Sequence, residues 1–252
     1  MNQLNVLNNA PKRCVGITER GDAGLDFTWV DKLDKCLFTI LITKDINDTF
    51  IEKVAELQHQ HRLIVHATIT GLGDSILEPK VRHPVWSFEQ LEKLCQVFPR
   101  ANIVGRVDPI VTTHQGLRTA IDTMEKFIAR GIERIRYSFI DIYPHVAKRL
   151  KKAGIVWNTG NDLTPLTCQG HLRKIFSTYP TVTFESCAEG SNTDTGCISE
   201  MDFETFGLDT PTIGRICGTR QRKHCKCHPF KTELLEKKKR CPNFCLYCYW
   251  YD

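Results

Sequence analysis

An α/β fold with parallel strands is what this chain predicts, and three observations carry the prediction. Strand-like apolar runs alternate with amphipathic stretches along most of its length. Almost every strand candidate runs out into polar or glycine-rich residues, the pattern of strands that end together at a ligand-binding mouth. A chain of 252 residues with 41% hydrophobic content is also long enough to bury one large core. The alternation by itself fits either a (β/α) barrel or a doubly wound sheet.

The elements follow in chain order. A first strand over Cys14–Thr18 leads to Glu19-Arg20-Gly21-Asp22, and a second over Cys36–Thr43 leads to Lys44-Asp45. Asn47–Gln58 has helical periodicity. The third strand, Leu63–Thr70, runs into Gly71-Leu-Gly73-Asp74 and then Glu78-Pro79. A helix over Ser87–Phe98 precedes the strand Ile103–Val107, which carries Arg106 and is followed by Asp108-Pro109. The helix His114–Ala129 precedes the strand Ile135–Ile140, which holds Tyr137-Ser138 and stops at Asp141. Helices over Pro144–Lys152 and Pro165–Ser177 come next, the second opening after Asn161-Asp162 as a capped helix would. A last strand, Val182–Phe184, ends at Glu185-Ser186-Cys187. With no repeat and no low-complexity linker, residues 1–185 read as the core and 186–252 as a cysteine-rich region packed on it.

Charge and targeting narrow the function classes. The formal net charge of +5, from 34 basic and 29 acidic residues, permits an anionic substrate without demanding one. The opening MNQLNVLNNAPKR has no apolar stretch of the signal-peptide kind, and no apolar run approaches a membrane span. A cytoplasmic protein without a membrane partner is expected. In that compartment disulfides are rare, so abundant cysteines read as metal ligands. Eight of the twelve cysteines lie from Cys187 onward. The basic run Glu236-Lys-Lys-Lys-Arg240 and the stretch Arg215–Lys226 read either as phosphate contacts or as solvated faces.

The sharpest signal is Cys241-Pro-Asn-Phe-Cys245-Leu-Tyr-Cys248. Iron–sulfur clusters take thiolates at short fixed spacings, because one loop must wrap the cluster from several sides. Three cysteines leave one iron of a cubane without a protein ligand, and that iron is open to a coordinating molecule. Structural zinc favours four ligands in paired hooks, which the three-residue gap and the missing fourth ligand fit poorly. Cys187, Cys197, Cys225 and Cys227 form a second set, sufficient for an auxiliary 4Fe–4S cluster or for a tetrahedral zinc, with His224 and His228 flanking the later pair. Cys14, Cys36, Cys95 and Cys168 read as small core residues, and Cys217 stands outside both sets.

The cysteine spacing, with Tyr247 before the third cysteine and Tyr249 after it, resembles the signature of radical S-adenosylmethionine enzymes. Spore photoproduct lyase and its DNA-repair-photolyase-like relatives pair this motif with a strand ending in Thr-Lys, a Glu-Pro after the next strand, and an Arg-containing strand ending near Pro-Ile. This chain has Thr43-Lys44, Leu77-Glu78-Pro79 and Arg106-Val-Asp-Pro109-Ile110 in that order. It is most similar to an uncharacterised group with the cysteine motif at the C-terminus. That group shows T-G-x-G before L-E-P, then R-x-D-P-I, and Q-R-x-x-C-x-C ahead of the cluster motif. Here these read Thr70-Gly71-Leu-Gly73, Leu77-Glu78-Pro79, Arg106–Ile110 and Gln221-Arg222-Lys-His-Cys225-Lys-Cys227.

The resemblance implies a partial TIM-type parallel (β/α) barrel, circularly permuted so that the cluster loop is C-terminal. First and last strands of a barrel are neighbours, so moving one strand to the other end keeps its place in space. It also implies the cofactor chemistry. Cys241, Cys245 and Cys248 would bind a 4Fe–4S cluster, with S-adenosylmethionine on the open iron. A flavodoxin or ferredoxin type reductant would supply the electron for reductive cleavage to a 5′-deoxyadenosyl radical, which abstracts hydrogen from the substrate. By the same resemblance Lys44 and Thr70 face the cofactor's carboxylate and ribose, and Arg106 clamps that carboxylate or a substrate anion. Glu78 accepts a hydrogen bond from the cofactor or caps a turn, and Tyr247 packs against the adenine. The substrate would be a nucleobase, nucleotide or nucleic acid, for repair or modification. Hydrogen-donor candidates are Tyr137, Tyr143 and Cys217.

The rival expectation is a non-catalytic zinc or iron–sulfur module that contacts nucleic acid or transfers electrons. It weighs against this that a pure electron carrier normally ligates every iron with cysteine. A third reading is a barrel that has lost activity, since only four residues follow Cys248 to shield a cluster.

Overall fold

The computed structural model describes residues 14–155, 163–190, 194–209, 226, 231–235 and 241–250. Among these residues there are seven strands: β1 (Cys14–Ile17), β2 (Cys36–Thr43), β3 (Leu63–Thr68), β4 (Ile103–Ile110), β5 (Arg134–Phe139), β6 (Thr183–Ser186) and β7 (Lys231–Glu233). Six α-helices accompany them: α1 (Asp48–Leu57), α2 (Pro84–Val97), α3 (His114–Ile128), α4 (Pro144–Lys152), α5 (Pro165–Phe176) and α6 (Glu200–Glu204). The strands make one all-parallel sheet in the order β6-β5-β4-β3-β2-β1-β7. The parallel α/β architecture expected from the strand–helix alternation is therefore present.

Local chemistry explains where the helices begin. Asn47 accepts the Phe50 amide at 2.9 Å and Thr113 accepts the Gly116 amide at 3.0 Å, each satisfying a donor that the first helical turn leaves unpaired. Proline opens α2, α4 and α5, where its missing N–H costs nothing. This is why α2 begins at Pro84, ahead of the expected Ser87. The cap of α5 is Thr164, which accepts the Thr167 amide at 3.1 Å; the expected cap at Asn161-Asp162 lies outside the described residues.

Alternate strand residues face opposite sides of the sheet. On one side Leu41, Leu63, Val65, Ile103, Val107, Ile135 and Tyr137 pack against Phe50, Leu91, Met124, Phe127 and Leu172 of the helices. On the other, Val15, Ile17, Phe38, Ile40, Ile64 and Val104 are covered by Ile198 and Phe203, with Phe38 and Phe203 meeting edge to face at 4.9 Å between ring centres. The segment that follows β6 thus folds back over the face that the larger helices leave bare.

Toward β5 and β6 that second face turns polar. Arg136 donates to Glu185 at 2.7 Å and to the Cys197 carbonyl at 2.8 Å, and Arg134 donates to Asp202 at 2.8 Å and to Glu185 at 3.2 Å. Arg136, Glu185 and Asp202 are all fully or almost fully buried. Burial alone would raise the Glu185 pKa, but Arg136 and Arg134 outweigh it and hold the carboxyl below its ordinary 4.5. His66, buried beside Arg136, is held well below its ordinary value by burial and by the arginines, and is neutral at physiological pH. Among the described residues no helix is long and apolar enough to cross a membrane.

Two outcomes follow from this network. Arg136→Met strands carboxylates in the interior and should cost about 3–5 kcal/mol, read from the urea midpoint. A carboxyl with a depressed folded pKa stabilises above its unfolded value and loses that contribution as pH falls through the folded one. The urea midpoint should therefore decline as pH is lowered below 4.5, and Glu185→Gln should flatten that decline.

Candidate functional site

The carboxyl ends of the strands and the loop 241–250 enclose one cleft. Its walls include Glu19, Arg20 and Asp22 after β1, Thr43 and Lys44 at the end of β2, Thr68 of β3, Arg106 and Asp108 of β4, and Asp141 after β5. Cys241, Asn243, Cys245, Tyr247, Cys248, Tyr249 and Trp250 close it from the loop side. The loop arrives there because β7 pairs with β1, so that Glu233 lies beside Ile17 and the chain emerges at the same edge as the other strand ends. The Glu233 carboxylate reinforces the join by accepting the Glu19 and Arg20 amides, each at 3.0 Å.

Asp22 holds three of these segments together. Its buried carboxylate accepts the Lys44 amide at 2.8 Å, the Gly24 amide at 3.0 Å, the Thr43 hydroxyl and the Asn243 amide group at 2.7 Å. A carboxylate with four donors needs no cation for its charge to be tolerated inside. The cysteine loop is tied on its other side as well. Leu246 donates its amide to the Leu77 carbonyl at 2.9 Å, His145 meets the Tyr249 carbonyl at 3.1 Å, and the Arg149 guanidinium donates to the Cys248 carbonyl. Val146 and Leu150 of α4 pack in one apolar cluster with Cys245 and Tyr247. Within the loop Phe244 has φ 51°, a left-handed turn that reverses the chain between the first two cysteines.

The charges of the cleft are arranged in close pairs. Glu78, 1% exposed, takes the Lys44 ammonium at 2.9 Å and the Tyr247 hydroxyl on the same oxygen, and the ammonium also lies 5.7 Å from the Tyr247 ring centre. Burial alone would lower the Lys44 pKa, but Glu78 outweighs it and leaves it above the ordinary value. Arg106 is partly buried and likewise raised, held by Asp108, whose other oxygen accepts the Ser138 hydroxyl. Burial pushes the Cys241 and Cys245 thiols up to about 12 and raises Cys248, so all three are protonated while they carry no metal.

Of the residues singled out from sequence, Lys44, Arg106, Tyr247, Cys241, Cys245 and Cys248 meet in this cleft, with Glu78 bonded to two of them. Thr70 does not join them. β3 stops at Thr68, which lines the cleft instead, and the Thr70 hydroxyl accepts the Leu72 amide at 3.1 Å in the turn that follows. Tyr137 points to the helix side of the sheet, its ring 5.6 Å from that of Phe176, because it falls in the outward register of β5. Tyr143 lies near the loop, 5.9 Å from the Tyr249 ring. Cys187 and Cys197 have their sulfurs 3.7 Å apart, and Cys197 is also 3.7 Å from a Glu19 carboxylate oxygen. Cys217, Cys225 and Cys227, with His224, His228 and the run 236–240, lie outside the described residues. Among the described residues no group of three or more His, Cys, Asp or Glu side chains is arranged around a single metal ion. A cubane does not ask for that arrangement, since each of its corner irons takes one thiolate.

Asp22 and Asn243 were not singled out by sequence reading. The Asp after a strand end and the Asn between two cysteines are the only local signs, and their bond spans 221 positions. Asp22→Ala should leave several buried donors unsatisfied and cost about 3 kcal/mol in denaturant unfolding. In native hydrogen exchange the loop 241–250 should lose protection before the central strands β3 and β4 do.

Residues 30–250 match the family described as a domain of unknown function, DUF1848. No curated protein and no solved structure matches the chain.

Proposed function

Starting from a chain that belongs to the DUF1848 family, we propose that it is a radical S-adenosylmethionine enzyme built on a partial (β/α) barrel, permuted so that the cluster loop follows the last strand. The observation that carries this reading is the convergence of Cys241, Cys245 and Cys248 with Lys44 and Arg106 in one cleft at the carboxyl ends of parallel strands. The permutation is supported by β7, which leads into the cysteine loop and pairs with β1 on the side away from β2.

The donor set suits the cofactor. Three thiols on one short loop, with no fourth cysteine among the described residues that line the cleft, suit a cluster with one open iron. When bound, that cluster supplies one electron for reductive cleavage of the sulfonium cofactor and so a 5′-deoxyadenosyl radical that takes hydrogen from the substrate. The remaining work falls to the protein. Lys44 and Arg106 present cations to a carboxylate, and their partners Glu78 and Asp108 keep them oriented and charged in a buried place. Tyr247 and Phe244 supply apolar surface against a purine and help to exclude water. The substrate class we favour is a nucleobase, nucleotide or nucleic acid, and the reductant a flavodoxin or ferredoxin. Cys187 and Cys197 would serve as two ligands of a second cluster or a zinc, completed by Cys225 and Cys227.

Anaerobic reconstitution with iron and sulfide should give about four irons per chain, or about eight if the second set also binds a cluster. With dithionite and S-adenosylmethionine the loaded protein should release 5′-deoxyadenosine, and Cys245→Ala should abolish it. Lys44→Met and Arg106→Met should retain iron while lowering that yield about 100-fold, the scale of a lost orienting contact. Zinc in place of iron, with no deoxyadenosine, would establish the binding-module alternative instead.

A further inference from the structure

The geometry points to the outer face of α4 as the docking site of an acidic electron-transfer protein that reduces the cluster. This rests on the reading above. The helix has two unlike sides. Its inner side holds the cysteine loop: Val146 and Leu150 pack with Cys245 and Tyr247, His145 meets the Tyr249 carbonyl, and Arg149 donates to the carbonyl of Cys248 itself. Its outer side presents Lys148, Lys151 and Lys152, all exposed, and the helix carries no acidic residue and no exposed large apolar side chain.

Such a face suits one kind of partner better than others. Electron-transfer encounters are small and short-lived, and charge steers them more than apolar burial does. A cationic surface without apolar anchors fits an acidic carrier. The lysines are also near the loop along the helix itself, because Arg149, the neighbour of Lys148, donates a hydrogen bond to the carbonyl of Cys248. A polyanionic substrate is the less apt occupant, since no residue of α4 lines the cleft into which a substrate must reach. At the contact the reduced flavin or iron–sulfur centre of the carrier would lose one electron to the cluster that Cys241, Cys245 and Cys248 would hold; no bond would form or break between the two proteins.

The test uses the reconstituted full chain and an acidic flavodoxin as probe. Affinity for oxidised flavodoxin is measured by biolayer interferometry at low and high salt, and deoxyadenosine release is measured with reduced flavodoxin and, separately, with dithionite. The triple variant Lys148→Glu, Lys151→Glu, Lys152→Glu should weaken flavodoxin binding about 30-fold at low salt and slow flavodoxin-supported turnover in parallel. Turnover supported by dithionite should stay within about twofold, because exposed lysines take no part in it. The milder pair Lys148→Gln, Lys152→Gln should weaken binding about fivefold and reduce its salt dependence. Unchanged flavodoxin affinity in both variants would overturn the assignment. So would a triple variant that loses affinity for duplex DNA and keeps its flavodoxin-supported rate. The dithionite arm on the unmodified chain reports on the radical chemistry alone, so failure of that chemistry and failure of the docking face are read separately.

Discussion

One buried carboxylate organises the mouth of this sheet. Asp22 stands after the first strand and accepts hydrogen bonds from the end of the second strand and from the loop that bears the cysteines. Each of those segments is polar, and none could be buried there without a partner for its amide or hydroxyl groups. Everything proposed for the cleft presupposes that the loop 241–250 lies over the ends of β1 and β2. The contact that puts it there is electrostatic, local in space and remote in sequence.

The second constraint is that charge inside the cleft comes in matched sets. Lys44 has Glu78, Arg106 has Asp108, and deeper in the sheet Arg134 and Arg136 share Glu185 and Asp202. Burying so many ions contributes little net stability compared with an apolar core of the same volume. What such pairs provide is fixed direction, since a guanidinium held by two carboxylates cannot swing away. A polar inner face also leaves the sheet less tightly filled with aliphatic side chains near β4 and β5 than near β1 and β2, where Ile17, Phe38 and Ile40 close the interior.

Much of this fold was legible in the sequence because its strands and helices announce themselves. The apolar run Cys36–Thr43 and the periodic stretch from His114 match the observed β2 and α3 closely. The cleft was legible to the extent that strand ends carry Lys44 and Arg106 and a short loop carries the cysteine triplet. β7 was not, since Lys-Thr-Glu has no apolar pattern and is a strand only because β1 offers it an edge. α6 is a short turn of helix capped by Ser199 and Asp202, too brief for periodicity to reveal. Thr70 and Tyr137 show the limit from the other side. Each lies in or just past a strand, yet a two-residue difference in strand length and a one-residue difference in facing took them out of the cleft.

The pairing of β7 with β1 also sets an order of events. The cysteine loop is held by contacts that are all remote in sequence, from Arg149 and Leu77 to Asp22, which lies 221 positions from Asn243, so no local stretch of the chain positions the three thiols in the cleft. Closing so long a loop carries a larger entropic cost than pairing strands that are near one another in the chain. An iron–sulfur donor that met the cysteines earlier would find an unstructured tether, and one that arrives later finds the thiols gathered under α4 and Asp22. On the proposed reading, assembly of a cluster would come after folding, with the finished sheet as the condition for loading.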